Sequence, residues 1–432
     1  MTRKLSATEV ESLARQVREA VVQEADTVLR EAIRRIEKEP AAWEEAEKAV
    51  RDGVHRMGAT LLEAALKTLG NGYHKSVRPC PCGGGLRYVS DRERRVVSLL
   101  GEVRLRRAYY RCPKCGRGRL PLDETLGIAR TDFSPGLQQA VARLGAHHPF
   151  AQGRALLGEL TGLWISPRSH RQVSERLGQA APSLEGPSLP QEAPVQDLYL
   201  LADGAMAPTR EGWREVKVGV AFTASVDADG KPRRRTTGYF ADVLKAEEFG
   251  GRWYALAERL GRARARRLIV LGDGAAWIWN LADMHFPGAL LIVDWYHALE
   301  RLWTVAHAVW GKENPAADHW VQLARKPLRN GHIERLLALL GALPARSTPA
   351  RNAVREAITY YTHNAQRMRY RHFRRHGHFI GSGVVEAGCK HVVGQRLKGS
   401  GMRWSLPGLH SILALRLAVL YGPWPLRAKV AA

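Results

Sequence analysis

The sequence predicts a soluble, multidomain α/β protein. Its 432 residues are too many for one ordinary hydrophobic core, and the 45% that are hydrophobic suffice to bury two or three. Helical periodicity and a cysteine-bearing hairpin pattern dominate the N-terminal part, whereas apolar strands alternate with helices farther on.

The chain is strongly basic. Lys and Arg number 66 against 42 Asp and Glu, which gives a net charge of +24 and a pI of about 10.3. An excess of this size favours a polyanionic partner, with nucleic acid ahead of an anionic membrane surface. We see no apolar run that would span a bilayer and no signal peptide, so we expect a cytoplasmic protein without a membrane partner.

Residues 1–75 are predicted to be helical. Ser6 and Glu9 form a capping box, and apolar residues follow at helical spacing on one stripe. Such a stripe packs on its own domain or mediates dimerisation, and the pattern fits both. A homodimer or higher homo-oligomer is therefore one expectation.

Residues 76–127 hold four of the five cysteines in two close pairs. Cys80 and Cys82 lie on one predicted turn, and Cys112 and Cys115 on another, with a hairpin between them. In a reducing compartment such pairs indicate metal ligation rather than disulfides. We expect a zinc-ribbon-like module with one structural Zn²⁺ ion. The first pair is C-x-C instead of the usual C-x-x-C, and four unrelated buried thiols are the alternative.

Residues 128–181 are predicted to form three short helices, the last beginning after Ser166 as N-cap. Short helices with tight turns favour a helix-turn-helix-like DNA-binding domain, although a plain helical scaffold has the same pattern. The residues expected to face the major groove are Arg168, Ser169, His170 and Arg171. A linker rich in Pro, Ser and Gly is predicted at 182–196.

The remaining chain predicts a second α/β domain. Across 197–297, three strands suggest an antiparallel meander, and further strands joined through helices extend it into a mixed sheet. Residues 298–378 are mostly helical and basic, and residues 379–432 return to the domain as C-terminal helices.

Three acidic residues are candidates for metal-dependent chemistry. Asp203 in LLADGA and Asp273 in VLGDGA each end an apolar strand and precede a glycine, and Glu386 lies on a helix expected to begin near Gly383. Acids at the ends of neighbouring strands can share divalent cations, and two such ions promote in-line attack on a phosphate. Taken singly, each Asp-Gly pair is also a common turn dipeptide.

These motifs resemble the DDE transposases of bacterial insertion sequences, specifically the ISKra-type group, which is related to Mutator-like transposases. The resemblance covers nearly the whole chain: PCPCGG, CPKCG, LLADGA, VLGDGA, DWYH and GSGVVEAGCKHVVGQRLKGSGMRWS. It implies an RNase H-like catalytic core in 197–297 and 379–432, with 298–378 as an α-helical insertion. It also implies that Asp203, Asp273 and Glu386 hold two Mg²⁺ (or Mn²⁺) ions.

DWYH supplies Asp294 and His297, which the resemblance marks as supporting residues. Their spacing at a helix start places both side chains on one face. They shape the site, contact DNA, or form a buried hydrogen bond without a chemical task.

The expected partner is double-stranded DNA, both the terminal repeats of the element and its target, in the bacterial nucleoid. Basic residues near Glu386 and upstream of it would hold phosphates, and a tryptophan would stack on an unpaired base or pack in the core. The predicted contacts outside the helix-turn-helix are Arg367, Arg369, Arg371, Arg374, Arg375, Lys390, Arg396, Lys398, Arg403 and Trp404. The hairpin strand adds Arg104, Arg106, Arg107 and Arg111.

The leading hypothesis is a transposase that binds element ends, cleaves DNA and transfers strands. An RNase H-fold nuclease or resolvase without strand transfer, and a non-catalytic DNA-binding regulator, are the alternatives.

Overall fold

The computed structural model describes residues 6–39, 41–74, 77–181, 187–422 and 424. It divides into two compact units, one comprising the described residues up to Ala180 and the other Ala181–Trp424. Both contain helices and a β-sheet, which confirms the multidomain α/β prediction. Within these ranges, no helix has both the length and the apolar character that crossing a membrane requires.

The first unit consists of a helical hairpin, a small sheet and a group of short helices. Its elements are α1 (Ala7–Lys38), α2 (Trp43–Lys67), β1 (Arg78–Pro79), β2 (Gly85–Ser98), β3 (Gly101–Arg111), β4 (Gly118–Arg119), α3 (Pro121–Thr125), α4 (Pro135–His147), α5 (Phe150–Thr161) and α6 (Pro167–Ala180). The predicted capping box opens α1: the Ser6 hydroxyl accepts from the Glu9 amide at 3.2 Å, and the Glu9 carboxylate accepts from the Ser6 amide at 2.8 Å.

The four strands of this unit form an antiparallel sheet in chain order. One face of the hairpin β2–β3 buries Val96, Val103 and Leu105 against α2, so packing as well as the cysteines stabilises it. Arg107 was predicted to contact DNA, but it is only 5% exposed and its guanidinium pairs with Asp123 at 2.6 Å. That prediction is wrong because the ion pair holds the side chain inside the unit.

The helices α4 to α6 pack on one another where small residues let them approach closely. The Ser166 hydroxyl accepts from the Ser169 amide at 3.0 Å and caps α6 as predicted. His170 does not face outward, because it is fully buried and its Nε2 lies 3.0 Å from where a Cβ on Gly153 would stand. The exposed residues at the start of this helix include Arg168 and Arg171.

The second unit contains a five-stranded mixed sheet and most of the helices. Its elements are β5 (Val195–Thr209), β6 (Gly212–Val226), β7 (Pro232–Asp242), α7 (Ala246–Arg259), β8 (Ala265–Gly272), α8 (Ala276–His285), β9 (Leu290–Val293), α9 (Trp295–Trp310), α10 (Pro315–Asn330), α11 (Ile333–Gly341), α12 (Thr348–Asn364), α13 (Tyr370–Arg375), α14 (Gly383–Gly388), α15 (Gln395–Leu397) and α16 (Leu406–Tyr421).

The strand order in this sheet is β7-β6-β5-β8-β9. The first three strands form the predicted antiparallel meander, and β8 and β9 run parallel to β5. Continuous apolar runs such as Leu198–Leu201 are fully buried, as expected for strands covered on both faces. The sheet therefore has three parallel strands whose carboxyl ends meet at one edge.

The predicted linker is partly packed onto this unit. Residues 182–186 lie outside the described residues, but the Leu189 amide donates to the Arg259 carbonyl at 3.0 Å, and β5 already begins at Val195. Between β9 and α14 the chain is helical, as predicted for 298–378.

Candidate active site

Two of the predicted acids follow the last paired residues of the two central parallel strands. The last paired residues of β5 and β8 are Leu201 and Leu271. Continued by two residues, this register would place Asp203 next to Asp273, the first residue after β8. Side chains two residues apart point to the same face, so we infer that both carboxylates lie on one face of the sheet near the end of β8.

A third aspartate continues this row. The pairing of β8 with β9 ends at Gly272 and Val293, so the next residues in register are Asp273 and Asp294. The Asp294 amide donates to the Gly272 carbonyl at 2.7 Å, which keeps the two chains together one step beyond the strands. The carboxyl edge of an open α/β sheet is where ligands usually bind.

Asp203 does not end its strand, contrary to the sequence prediction. β5 continues to Thr209 through its pairing with β6, and only the parallel partner β8 stops earlier. Gly204 is an ordinary strand residue paired with Lys217, not a turn. Asp203 is thus held in a continuous strand while its side chain faces a site that opens where β8 ends.

Asp273 does precede a sharp turn. Gly274 has φ +102°, and a Cβ there would stand 2.5 Å from the ring of Tyr360, so the position needs glycine on both counts. The Tyr360 hydroxyl donates to the Asp273 carbonyl at 2.9 Å, and the Ala275 amide donates to the Asp273 carboxylate at 2.9 Å. A residue of α12 therefore fixes the turn that presents this acid.

Asp294 organises the segment that carries Glu386. One of its oxygens accepts from the His297 amide at 2.7 Å and from Nδ1 of the same residue at 3.2 Å, and the other accepts from the Ser382 amide. The Ser382 hydroxyl in turn donates to Glu386 Oε1 at 2.8 Å. A chain of hydrogen bonds thus joins the end of β9 to the glutamate on α14.

The charges of this cluster influence one another. The hydrogen bond to Asp294 raises the pKa of His297 to about 9, and the nearby charges of Asp273 and Glu386 add to the effect. Burial by itself would raise the pKa of Asp294, but the hydrogen bonds from His297 and Ser382 hold it below its ordinary value. Asp294 is therefore a buried carboxylate whose partners are already present in the fold.

A π-helical segment, Cys389–Gly394, follows α14 directly. Its first residue brings a thiol to the acids, since Cys389 Sγ lies 3.3 Å from Asp203 Oδ2 and donates to it. Burial raises the pKa of this thiol, and the charges of Asp203 and Glu386 contribute. The helix bearing Glu386 is in this way tied to the central strand.

The donor set suits a hard divalent cation. Asp203 and Asp273 are half-buried and Glu386 is exposed, so their oxygens are accessible. They do not form as tight a group as Asp294, His297 and Glu386, whose ligand atoms all lie within 4.8 Å of one another. Because Asp294 is fully buried and holds Ser382, whose hydroxyl donates to Glu386, we interpret it as the residue that positions Glu386 rather than as a ligand.

The four predicted zinc ligands come together in the first unit. Their sulfurs all lie within 4.8 Å of one another, with Cys80 to Cys115 and Cys82 to Cys112 both 3.6 Å apart. Sulfurs on a tetrahedral zinc ion with Zn–S bonds of about 2.3 Å are about 3.8 Å apart. Backbone N–H groups of the second turn, that of Cys115 first, lower the pKa of Cys112 to about 7, which favours one thiolate. The C-x-C turn therefore fits tetrahedral ligation.

Two of the DNA contacts predicted after Glu386 are also buried. Arg396 is 1% exposed, and its guanidinium lies 4.9 Å from the ring centre of Trp404. Trp404 is 7% exposed, and its Nε1 donates to the Leu397 carbonyl at 3.1 Å. Neither reaches a phosphate or an unpaired base, so the packing alternative holds for the tryptophan. Lys390, Lys398 and Arg403 are exposed.

The basic segment of the insertion divides in a similar way. Arg367 lies over the Trp279 ring at 4.9 Å and donates to the side chain of Asn364 at 3.2 Å, so it contributes to packing. The aromatic residues Tyr370 and Phe373 are fully buried. The exposed arginines of this segment are Arg369, Arg371, Arg374 and Arg375.

Sequence reasoning missed three residues of the site: Tyr360, Ser382 and Cys389. The first lies in a helix far along the chain from the acid it holds, and no local pattern marks it. The other two flank Glu386 in the segment that begins at Gly381. Their closeness to Glu386 in the sequence was therefore the one indication that they belong to the site.

Comparison with known proteins places the chain in a family. The model of an uncharacterised protein family, UPF0236, matches residues 36–429. A "UPF0236 protein in vanSb 3'region" of Streptococcus gallolyticus is 34% identical over 113 residues, which are 26% of this chain and 25% of the relative. The alignment thus spans about a quarter of that relative's length. Because the family model covers most of the sequence, the protein belongs to the UPF0236 family.

Proposed function

We propose that this protein is a DNA transposase that binds the ends of an insertion sequence, cleaves DNA and transfers strands. The observation that carries the proposal is that the helix of Glu386 is tied to Asp203 through Cys389 and to the end of β9 through Ser382, next to the point where β8 leads into Asp273. The mixed five-stranded sheet with a helical insertion before the glutamate agrees with the RNase H-like core that the resemblance to DDE transposases implies.

Asp203, Asp273 and Glu386 would hold two Mg²⁺ or Mn²⁺ ions. Such ions, when bound, activate a water or a 3′-hydroxyl and stabilise the leaving oxygen. The protein's own residues set the geometry: Tyr360 fixes the turn at Asp273, and Ser382 orients Glu386.

The charge distribution supports DNA as the partner. The net charge of +24 is accompanied by exposed arginines around the insertion, of which Arg371, Arg374 and Arg375 form no ion pair with an acid among the described residues. Phosphate contacts release counterions, so we expect binding to weaken steeply with salt. Replacing these three arginines should flatten that dependence for all DNA sequences alike, and a salt response equal to that of the wild type would contradict the assignment.

The cysteine cluster would hold one structural Zn²⁺ ion in a zinc-ribbon-like module. Replacing Cys112 with Ser removes a ligand and should release the ion and destabilise the hairpin, because zinc binding and folding are coupled in such modules. Metal analysis of protein purified without chelator measures this. Less than about half an equivalent of zinc in the wild type, with all four thiols reactive, would refute the site.

Self-association through α1 remains a prediction. Apolar side chains of this helix are in solvent, among them Val22 and Leu29, and a second copy of the chain would cover them. Light scattering on the wild type and on Val22→Asp measures the oligomeric state. A monomer at every concentration would rule out this role.

DNA cleavage and joining assays test the proposed function. Purified protein is incubated with labelled DNA that carries the element ends and with Mg²⁺. Joined products indicate a transposase, cleavage without joining indicates a nuclease, and binding without either indicates a regulator. Only the first outcome supports the proposal.

Variants of the acids connect the chemistry to the site. We expect Asp203→Asn, Asp273→Asn and Glu386→Gln each to abolish cleavage and joining while end binding is retained, because each removes a metal ligand and not a phosphate contact. Asp283→Asn, an exposed acid of the same unit, is the matched control. Near wild-type turnover of any of the three would remove that residue from the site.

A further inference from the structure

A cavity of about 500 Å³ opens beside the row of acids. Gly381 lines it and also adjoins the site, because a Cβ on this glycine would stand 3.9 Å from Asp294 Oδ2 and 3.0 Å from Cε2 of Tyr296. Gly383, the first residue of the helix that bears Glu386, lines it as well. The volume falls within the range of small-ligand sites.

The charge of the cavity is positive and unbalanced. Arg325, Arg329 and Arg374 line it, no acidic residue does, and none of the three forms an ion pair among the described residues. Arg374 donates to the Arg329 carbonyl at 3.4 Å, so two of these arginines are in contact. Burial and the positive charges of Arg329 and Arg371 lower the pKa of Arg374. Clustered cations without acids favour an anionic occupant.

The cavity also presents an aromatic surface. The side chain of Tyr296 is 64% exposed, although it follows directly on the buried Trp295. Phe379 lies on the wall. Aromatic rings in a positively charged groove bind unpaired bases by stacking, with little dependence on sequence.

The wall of the cavity holds an unpartnered polar group. Tyr370 lines the cavity and is fully buried, and its hydroxyl has no hydrogen-bond partner among the described residues. A buried hydroxyl without a partner is energetically unfavourable. It is closed to the cavity here, so a bound base meets it only after the Tyr370 ring moves.

We propose that this cavity binds one unpaired nucleotide of the DNA strand next to the scissile phosphate, with the base on Tyr296 and the phosphate at Arg325, Arg329 and Arg374. That the partner is DNA rests on the proposed function. The new element is the place on the protein where one nucleotide leaves the duplex. Its place beside Asp294 and Gly383 puts the nucleotide immediately next to the acids.

Fluorescence of 2-aminopurine tests the proposal. The probe replaces single bases along a DNA that carries the element end, and binding is measured without added Mg²⁺, so that no chemistry takes place. We expect the bound probe at one position next to the cleavage point to be brighter in Tyr296→Ala than in the wild type, where the ring quenches the unstacked base, and to match the wild type in Tyr296→Phe, which keeps the ring. Equal signals from the two variants would overturn the proposal.

A double-mutant cycle gives the second readout. Tyr296→Ala should weaken end binding about tenfold on intact DNA. On DNA with an abasic site at the quenched position, the same substitution should have no effect, because the stacking partner is already gone. An equal loss on both DNAs would show that Tyr296 does not contact that base. If Tyr296 fails this test but the wild-type protein still joins DNA ends, the transposase proposal stands and only the nucleotide site is refuted. If the protein does not bind DNA at all, both proposals are refuted.

Discussion

Ser382→Ala isolates the group that orients Glu386. The substitution removes the hydroxyl that donates to Glu386 Oε1 at 2.8 Å, while the backbone amide that donates to Asp294 remains. A hydrogen bond to a charged acceptor contributes about 1.5–3 kcal/mol. Because Glu386 is exposed and water replaces part of this bond, we expect a loss of about 1–1.5 kcal/mol, roughly a five- to tenfold weaker Mn²⁺ or Mg²⁺ affinity.

Calorimetric titration of the apo protein with Mn²⁺ measures this change directly, and the Mg²⁺ concentration needed for half-maximal cleavage should rise in parallel. Ser411→Ala is the matched control, since Ser411 is equally buried in the same unit but its hydroxyl donates to the Pro407 carbonyl. Unchanged metal affinity in Ser382→Ala, or an equal loss in both variants, would refute the orienting role.

Two further predictions concern stability. Asp123→Asn should lower the free energy of unfolding of the first unit by about 3 kcal/mol, because it leaves Arg107 buried without its counter-charge. Urea titration measures this change. Asp132 is an exposed acid, so Asp132→Asn should have little effect in the same titration. The hydrogen bond to Asp242 raises the pKa of His410 above its ordinary 6.5, so this pair stabilises the fold fully below about pH 6.5 and less as pH rises through the raised pKa. In His410→Gln the melting temperature should fall less above pH 6.5 than it does in the wild type. The same dependence of melting temperature on pH in both proteins would contradict this.

Much of the second unit was predictable because its strands are apolar and its acids follow these apolar runs. The runs around Leu198 and Ile269 are strands, and they pair in parallel up to Leu201 and Leu271, two residues before the acids. The error at Asp203 has a physical cause. An apolar run ends where one neighbour stops covering the strand, but the strand itself continues as long as another neighbour pairs with it.

Which side chains are buried and which are exposed was less predictable. Arg396 and Trp404 are eight positions apart and bury each other, and between them and Glu386 lies a π-helical segment that shifts the helical periodicity. The bond from Tyr360 to Asp273 spans 87 positions. Such contacts depend on how helices pack, and local patterns carry no signal for them.

The chain leaves the sheet at Asp294 and comes back to the same point. The Trp295 amide donates to the Ile380 carbonyl at 2.8 Å, and Ser382 meets Asp294 one step farther on. During synthesis the aspartates therefore leave the ribosome long before the glutamate does. The segment between Asp294 and Glu386 forms a long loop, and closing it is entropically unfavourable until its helices have folded. A product that stops within the insertion carries the early acids but not Glu386, so the three acids come together only after the segment beyond the insertion has been made.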